Sequence, residues 1–128
     1  MSTRCHVGYI ENGELLAVYS HWDGYPQKTL RCLLTFIKNE GIKAFMFEVK
    51  RGCLEGGISN WSDVGAVTYG DLWERTEDLN WAVRERSGLD NNYGYIFDAS
   101  SGELVEAYEW GKRIPVNEMI ELSGYEDS

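Results

Sequence analysis

The dipeptide Asn12-Gly13 constrains this chain more than any other feature. It stands between two apolar-rich runs, Cys5-His6-Val7-Gly8-Tyr9-Ile10-Glu11 and Glu14-Leu15-Leu16-Ala17-Val18-Tyr19-Ser20. A two-residue type I′ turn needs positive φ at both central positions. Asn-Gly accepts this at little cost, so the pair predicts a β-hairpin. The turn also sets the register, because a slip of one residue would turn every side chain to the opposite face. One face then carries Tyr9 opposite Leu16, Val7 opposite Val18 and Cys5 opposite Ser20. The other carries Ile10 opposite Leu15, Gly8 opposite Ala17, His6 opposite Tyr19 and Arg4 opposite His21.

A helix is predicted next, from about Gln27 to Glu40. Leu30, Leu33, Leu34 and Ile37 recur at i, i+3, i+4 and i+7, with Phe36 widening the stripe, and Gly41 is placed to stop it. Ala44, Phe45, Phe47 and Val49 fit either a second helix or a strand, and are read as helix. Residues 52–72 read as a long loop broken by Gly-rich and Asn-Trp-Ser-Asp segments. Thr76 is placed to cap a short helix carrying Leu79, Trp81, Ala82 and Val83 and ending before Gly88. A second hairpin follows, Tyr93–Phe97 and Glu103–Tyr108 around Asp98-Ala99-Ser100-Ser101-Gly102, with Gly102 at a left-handed position. The end of the chain adds a helical turn through Met119, Ile120 and Leu122, then a short acidic tail.

Neither hairpin is stable alone, so the two are expected to share one sheet. The predicted fold is α+β: an antiparallel sheet of about four strands, with two or three helices packed on one face. The whole chain, 1–128, reads as one domain.

Composition narrows the function classes. With 43% hydrophobic and 13% aromatic residues the chain can bury a real core and does not read as disordered. No run approaches a membrane span, and the first residues lack the apolar stretch of a signal peptide, so a cytoplasmic location is expected. Three cysteines without a secretion signal read as reduced thiols, Cys32 as a small core residue. The net charge of −9 is lopsided. Residues 1–62 hold seven Lys/Arg against six Asp/Glu, whereas residues 63–128 hold five against fifteen. Such a chain is repelled by nucleic-acid phosphates and anionic lipid, and suits a partner with a basic surface.

Two groups of residues are candidates for chemistry. The first lies at the open end of the first hairpin: Arg4, His6, Tyr19, His21, Trp22, Asp23 and Tyr25. A cation, two imidazoles, a carboxylate and aromatic rings there would suit a small nucleotide-like ligand. The same loop is also explained by structure alone, with Trp22 as anchor, Asp23-Gly24 as turn and Tyr25-Pro26 leading into the helix. The second group sets tryptophans among acids: Trp73, Glu74, Glu77, Asp78 and Trp81, with Trp110 beside Glu109. Exposed, these residues would anchor a protein partner. His6, His21 and Asp23 lack a compact ligand spacing, so no metal site is predicted. Cys5 and His6 point to opposite faces of a strand and cannot pair. No phosphate loop, dinucleotide fingerprint or nucleophile elbow occurs, and no cofactor is implied.

The opening Met1-Ser2-Thr3-Arg4-Cys5, the first hairpin and the His21-Trp22-Asp23-Gly24-Tyr25-Pro26 loop before an amphipathic helix resemble a family of small phage- and prophage-encoded proteins. The Tyr93-Gly94-Tyr95-Ile96-Phe97-Asp98 strand is similar to that family's C-terminal strand pair. The resemblance covers the first 40 residues and about 17 near the end, leaving 42–92 outside it. It implies a phage or prophage origin and carries no activity with it. Together these readings favour a non-enzymatic protein that inhibits or modulates a host or defence protein. The alternatives are a binder, or a hydrolase, of a nucleotide-like ligand on the Arg4, His21 and Asp23 face.

Overall fold

In the computed structural model Asn12 and Gly13 sit at φ +53° and +79°, both left-handed as a type I′ turn requires. They join β1 (Cys5–Glu11) to β2 (Glu14–Ser20) in the expected register, with His6 opposite Tyr19, Tyr9 opposite Leu16 and Glu11 opposite Glu14. The structure describes residues 3–20, 24–55, 83–90 and 92–126. The expected helix cap at Thr76, the apolar positions Leu79 to Ala82 and most of the 52–72 loop lie outside those residues.

A wide turn over Pro26–Leu30 opens the helical layer and runs directly into α1 (Arg31–Glu40). Gly41, at φ +90°, ends α1 with its N–H on Ile37 O at 2.9 Å. The chain then re-enters α2 (Ile42–Glu55), so residues 52–55 extend a helix and are not loop. Val83, expected at the end of a short helix, instead bridges β2 in antiparallel fashion, exchanging both backbone hydrogen bonds with Ala17 at 2.9 Å. One helical turn, Arg86–Gly88, follows.

The second hairpin is β3 (Tyr93–Asp98) and β4 (Leu104–Glu109). Two features depart from the expected sheet of four antiparallel strands. The strand order is β2-β1-β3-β4-β5, and β1 runs parallel to β3. Each hairpin contributes its first strand to the join, and these two strands run the same way. A fifth strand, β5 (Lys112–Ile114), pairs antiparallel to β4. It is reached through Trp110 and Gly111 at φ +52° and +78°, a second pair of left-handed residues. Tryptophan at such a position carries no turn signal, which is why this strand is invisible to sequence patterning. The tail forms α3 (Val116–Ser123), longer than one turn, ended by Gly124 at φ +73°.

A bulge at Val105 shifts the β3–β4 register between Ile96 and Phe97. It lets Leu104 and Ala107, three apart, both face the helices, which strict alternation forbids. The main core lies there: Val7, Tyr9 and Val18 of the first hairpin, Tyr95 and Phe97 of β3, Leu30, Leu33 and Phe36, Phe45 and Val49, and Met119. The opposite face has a smaller cluster of Leu15, Ala17, Leu89, Ile96 and Tyr108, covered by residues 83–90. The α+β class and a helical layer on one face are therefore as expected, with a mixed, five-stranded sheet. Among the described residues no helix is long and apolar enough to cross a membrane.

Candidate functional site

The end of the sheet where β1 and β3 begin gathers most of the described side chains singled out from sequence. Arg4 donates its N–H to Asn92 Oδ1 at 3.0 Å and accepts one from Tyr93 N–H at 3.2 Å. Asn92 O in turn accepts from Trp110 N–H at 3.0 Å. Arg4, Asn92 and Trp110 thus form a row across the first strand, the lead-in to β3 and the β4–β5 turn. Trp110 is 68% exposed at the tip of that turn. A large ring held out to solvent on a left-handed residue is costly twice over, in lost burial and in backbone strain.

Gly24 pins the loop after β2 beside Arg4. Its N–H donates to Thr3 O at 2.8 Å, and its carbonyl accepts from Tyr95 Oη–H at 2.6 Å. A Cβ on Gly24 would stand 2.8 Å from the Arg4 carbonyl carbon, so only glycine fits this approach. Tyr25 follows in extended conformation, its carbonyl accepting from Lys28 and Thr29 N–H at 3.1 and 3.0 Å. The described end of the loop is therefore built as the start of a helix, while the Tyr25 ring remains exposed. His21, Trp22 and Asp23 lie outside the described residues, as do Trp73, Glu74, Glu77, Asp78 and Trp81.

His6 and Tyr19 are brought together as the register requires, ring centroids 5.7 Å apart in an edge-to-face contact. His6 is buried, and burial pushes its imidazole down to about 4, against a weaker upward pull from Asp90. It is neutral at physiological pH and is not poised for acid–base work near pH 7. Arg4 and His6 share a strand face but differ in setting, the one exposed and the other enclosed.

A cluster not anticipated from sequence lies on the same face. Glu106 of β4 is buried and accepts Arg86 Nε–H at 2.7 Å and Nη2–H at 2.5 Å, together with the Tyr108 hydroxyl. Arg86 first, and Tyr108 with it, hold the Glu106 carboxyl below its ordinary range despite burial. Tyr108, partly desolvated and bonded to a carboxylate, is pushed up. The sequence hint was a Glu106-x-Tyr108 pair within a strand, but nothing local pointed to Arg86. The geometry is that of a structural clamp: every group is engaged by another side chain. Among the described residues no three His, Cys, Asp or Glu side chains come together to hold a metal ion. The chain matches no protein-family model, and no curated protein and no solved structure is significantly similar to it.

Proposed function

We propose that this chain is a small, non-enzymatic binding protein of phage or prophage type that inhibits or modulates a host or defence protein. The observation that carries the reading is Trp110, 68% exposed on a left-handed turn residue beside Glu109. Costs of this kind persist where a side chain is needed for contact, and tryptophan is the residue most enriched among interface anchors. The surplus of carboxylates in residues 63–128 suits a partner with a basic surface, steering its approach while the ring supplies buried area.

The test places a photo-crosslinking amino acid at position 110, and at position 47 as control, in host cytosol. A protein captured through position 110 and not through 47 is then purified. Trp110→Ala should weaken its binding at least tenfold, and added salt should slow association. Equal binding by Trp110→Ala would sink the reading.

A second reading is favoured by the convergence of Arg4, Tyr25 and Trp110 at one end of the sheet. An exposed cation and exposed rings at the same end of the sheet suit a nucleotide-like ligand, bound or hydrolysed there. Saturating ligand would stabilise the fold by about 2.7 kcal/mol at 100 times its Kd, which a thermal-shift series with nucleotides would register. Turnover is the weaker form of this idea, since the described histidine of the face is buried and neutral.

A further inference from the structure

Residues 83–90 cross the second face of the sheet and are held there at few points. Two backbone hydrogen bonds fasten Val83 to Ala17 at the β2 edge, and Arg86 grips Glu106 on β4. At the far end the Asp90 Cα lies 3.9 Å from where a Cβ on Gly111 would stand, beside the β4–β5 turn. Within the segment only Leu89 is fully buried; Val83 and Gly88 are half-buried, and the rest is exposed. A segment with so little buried apolar surface opens at a lower free energy than the strands beneath it.

Ala17 and Glu106 end one cross-strand row, and the next row along the sheet is Tyr19, His6, Gly94, Tyr108 and Arg113. His6 is enclosed in that row and is 6% exposed. Tyr19 closes it on one side, ring centroids 5.7 Å apart. On the other, a Cβ on Gly94 would stand 3.3 Å from Tyr108, whose side chain fills the space above that glycine. The remaining charged groups on this face are exposed Arg4 two residues back along β1, Arg113 beyond Tyr108, the Arg86–Glu106 pair, and Asp90 of the segment itself. Of these, Asp90 acts on the imidazole and favours its charged form, but burial opposes that form more strongly. An imidazolium is therefore disfavoured under the closed segment and accepted once water enters. Protons favour opening as pH falls from about 6.5 toward 4, while Glu106, held below the ordinary carboxylate range, keeps its charge to lower pH.

We infer that residues 83–90 form an acid-released strap, detached from the sheet when His6 takes up a proton. Detachment breaks the Ala17–Val83 bridge and the Arg86–Glu106 pair, and lifts Leu89 from Leu15, Ile96 and Tyr108. Water then reaches the imidazole, and Asp90 withdraws from the Trp110–Gly111 turn. The second face of the sheet is thus covered at neutral pH and bare, with its apolar cluster open, under mild acid. The strap is independent of what Trp110 contacts.

Amide hydrogen exchange of the full chain tests it, read as protection factors so that the intrinsic pH dependence of exchange is removed. The Ala17 and Val83 amides, which the bridge protects, should exchange faster than that of buried Val7 at both pH 7 and pH 5. Their protection should fall roughly 10- to 20-fold from pH 7 to pH 5, as an imidazole near 4 in the closed form returns to 6.5 in the open one. His6→Gln should abolish that fall, and His6→Leu serves if the glutamine variant does not fold. Arg86→Ala should lower protection at both pH values and keep the fall between them, because it loosens the strap and leaves the imidazole in place. The wild-type comparison needs no variant and can fail alone. Exchange of Ala17 and Val83 only in step with Val7 would show that the strap does not open separately. Protection that is the same at pH 5 and pH 7, or a fall that survives the loss of His6, would overturn the inference equally.

Discussion

Arg86 holds Glu106 through two parallel hydrogen bonds, Nε to Oε1 at 2.7 Å and Nη2 to Oε2 at 2.5 Å. The guanidinium side chain is 53% exposed and the carboxylate side chain 5%. A nearly buried charge is thus neutralised by one that remains in contact with water. The pair fastens residues 83–90 across the second face of the sheet, together with the Ala17–Val83 bridge and buried Leu89. Without Arg86 that segment would keep its bridge but lose the ionic tie, and Glu106 would keep only Tyr108.

Arg86→Ala should therefore destabilise the fold by about 1–3 kcal/mol at pH 7, toward the lower end because water reaches Arg86. Glu106 has its carboxyl depressed in the folded state, so its contribution is present above the ordinary carboxylate range and lost as pH falls through the folded value. Urea melts of wild type and Arg86→Ala should differ at pH 7 and converge in acid. A gap that stays constant down to pH 3 would assign the effect to lost packing and not to the ion pair.

His6 predicts a second pH dependence with its own sign. Its folded pKa of about 4 lies below the ordinary imidazole value of 6.5, so between these values the unfolded chain binds more protons. Stability should fall as pH drops from about 6.5 toward 4, by an amount of up to about 3 kcal/mol. Replacing His6 with Leu should flatten that limb. Direct observation is possible by NMR titration, with His21→Asn to assign the remaining imidazole. A His6 midpoint near 6.5 would contradict the enclosed setting.

These features differ in how far the sequence revealed them. Asn12-Gly13 and the alternation around it were enough to place His6 against Tyr19, because turn type and pleat leave one register. Gly41 likewise marked the end of α1. The parallel joining of β1 to β3 is a long-range choice, and no local pattern encodes it. Trp110-Gly111 makes a two-residue turn with a residue that turn statistics disfavour, so β5 stayed hidden. Arg86 and Glu106 are twenty residues apart and meet only because the intervening chain folds β3 beside β4. Of the candidate site, Arg4, His6, Tyr19 and Tyr25 could be named beforehand. Their separation into exposed Arg4 and buried His6 depends on what covers the sheet, which a strand pattern does not carry.

The apolar stripe of α1 offers a sharper mutational contrast than a uniform buried face would. Leu33 is fully buried, whereas Leu34 is half-buried on the wall of a cleft between α1 and α3. Leu33→Ala should cost about 2–5 kcal/mol, and Leu34→Ala distinctly less, because its site is already partly open to water. Chemical denaturation of the two variants decides the matter, and equal losses would mean the cleft is closed in solution.

Trp110 gives the most discriminating case, because stability and function should move in opposite directions there. At φ +52° it occupies a backbone region that costs an ordinary L-residue about 1–2 kcal/mol, while asparagine enters it readily. Its ring recovers little of that cost by packing, being 68% exposed. Trp110→Asn should therefore raise stability by about 1 kcal/mol and the melting temperature by roughly 3–5 °C. The same change should weaken association with the partner at least tenfold, since it removes the ring that the turn holds out. Thermal melts and binding measured on one preparation test both halves. A destabilised variant would show that the ring packs in solution, and a stabilised one that binds as wild type would show that the strained tryptophan serves no contact.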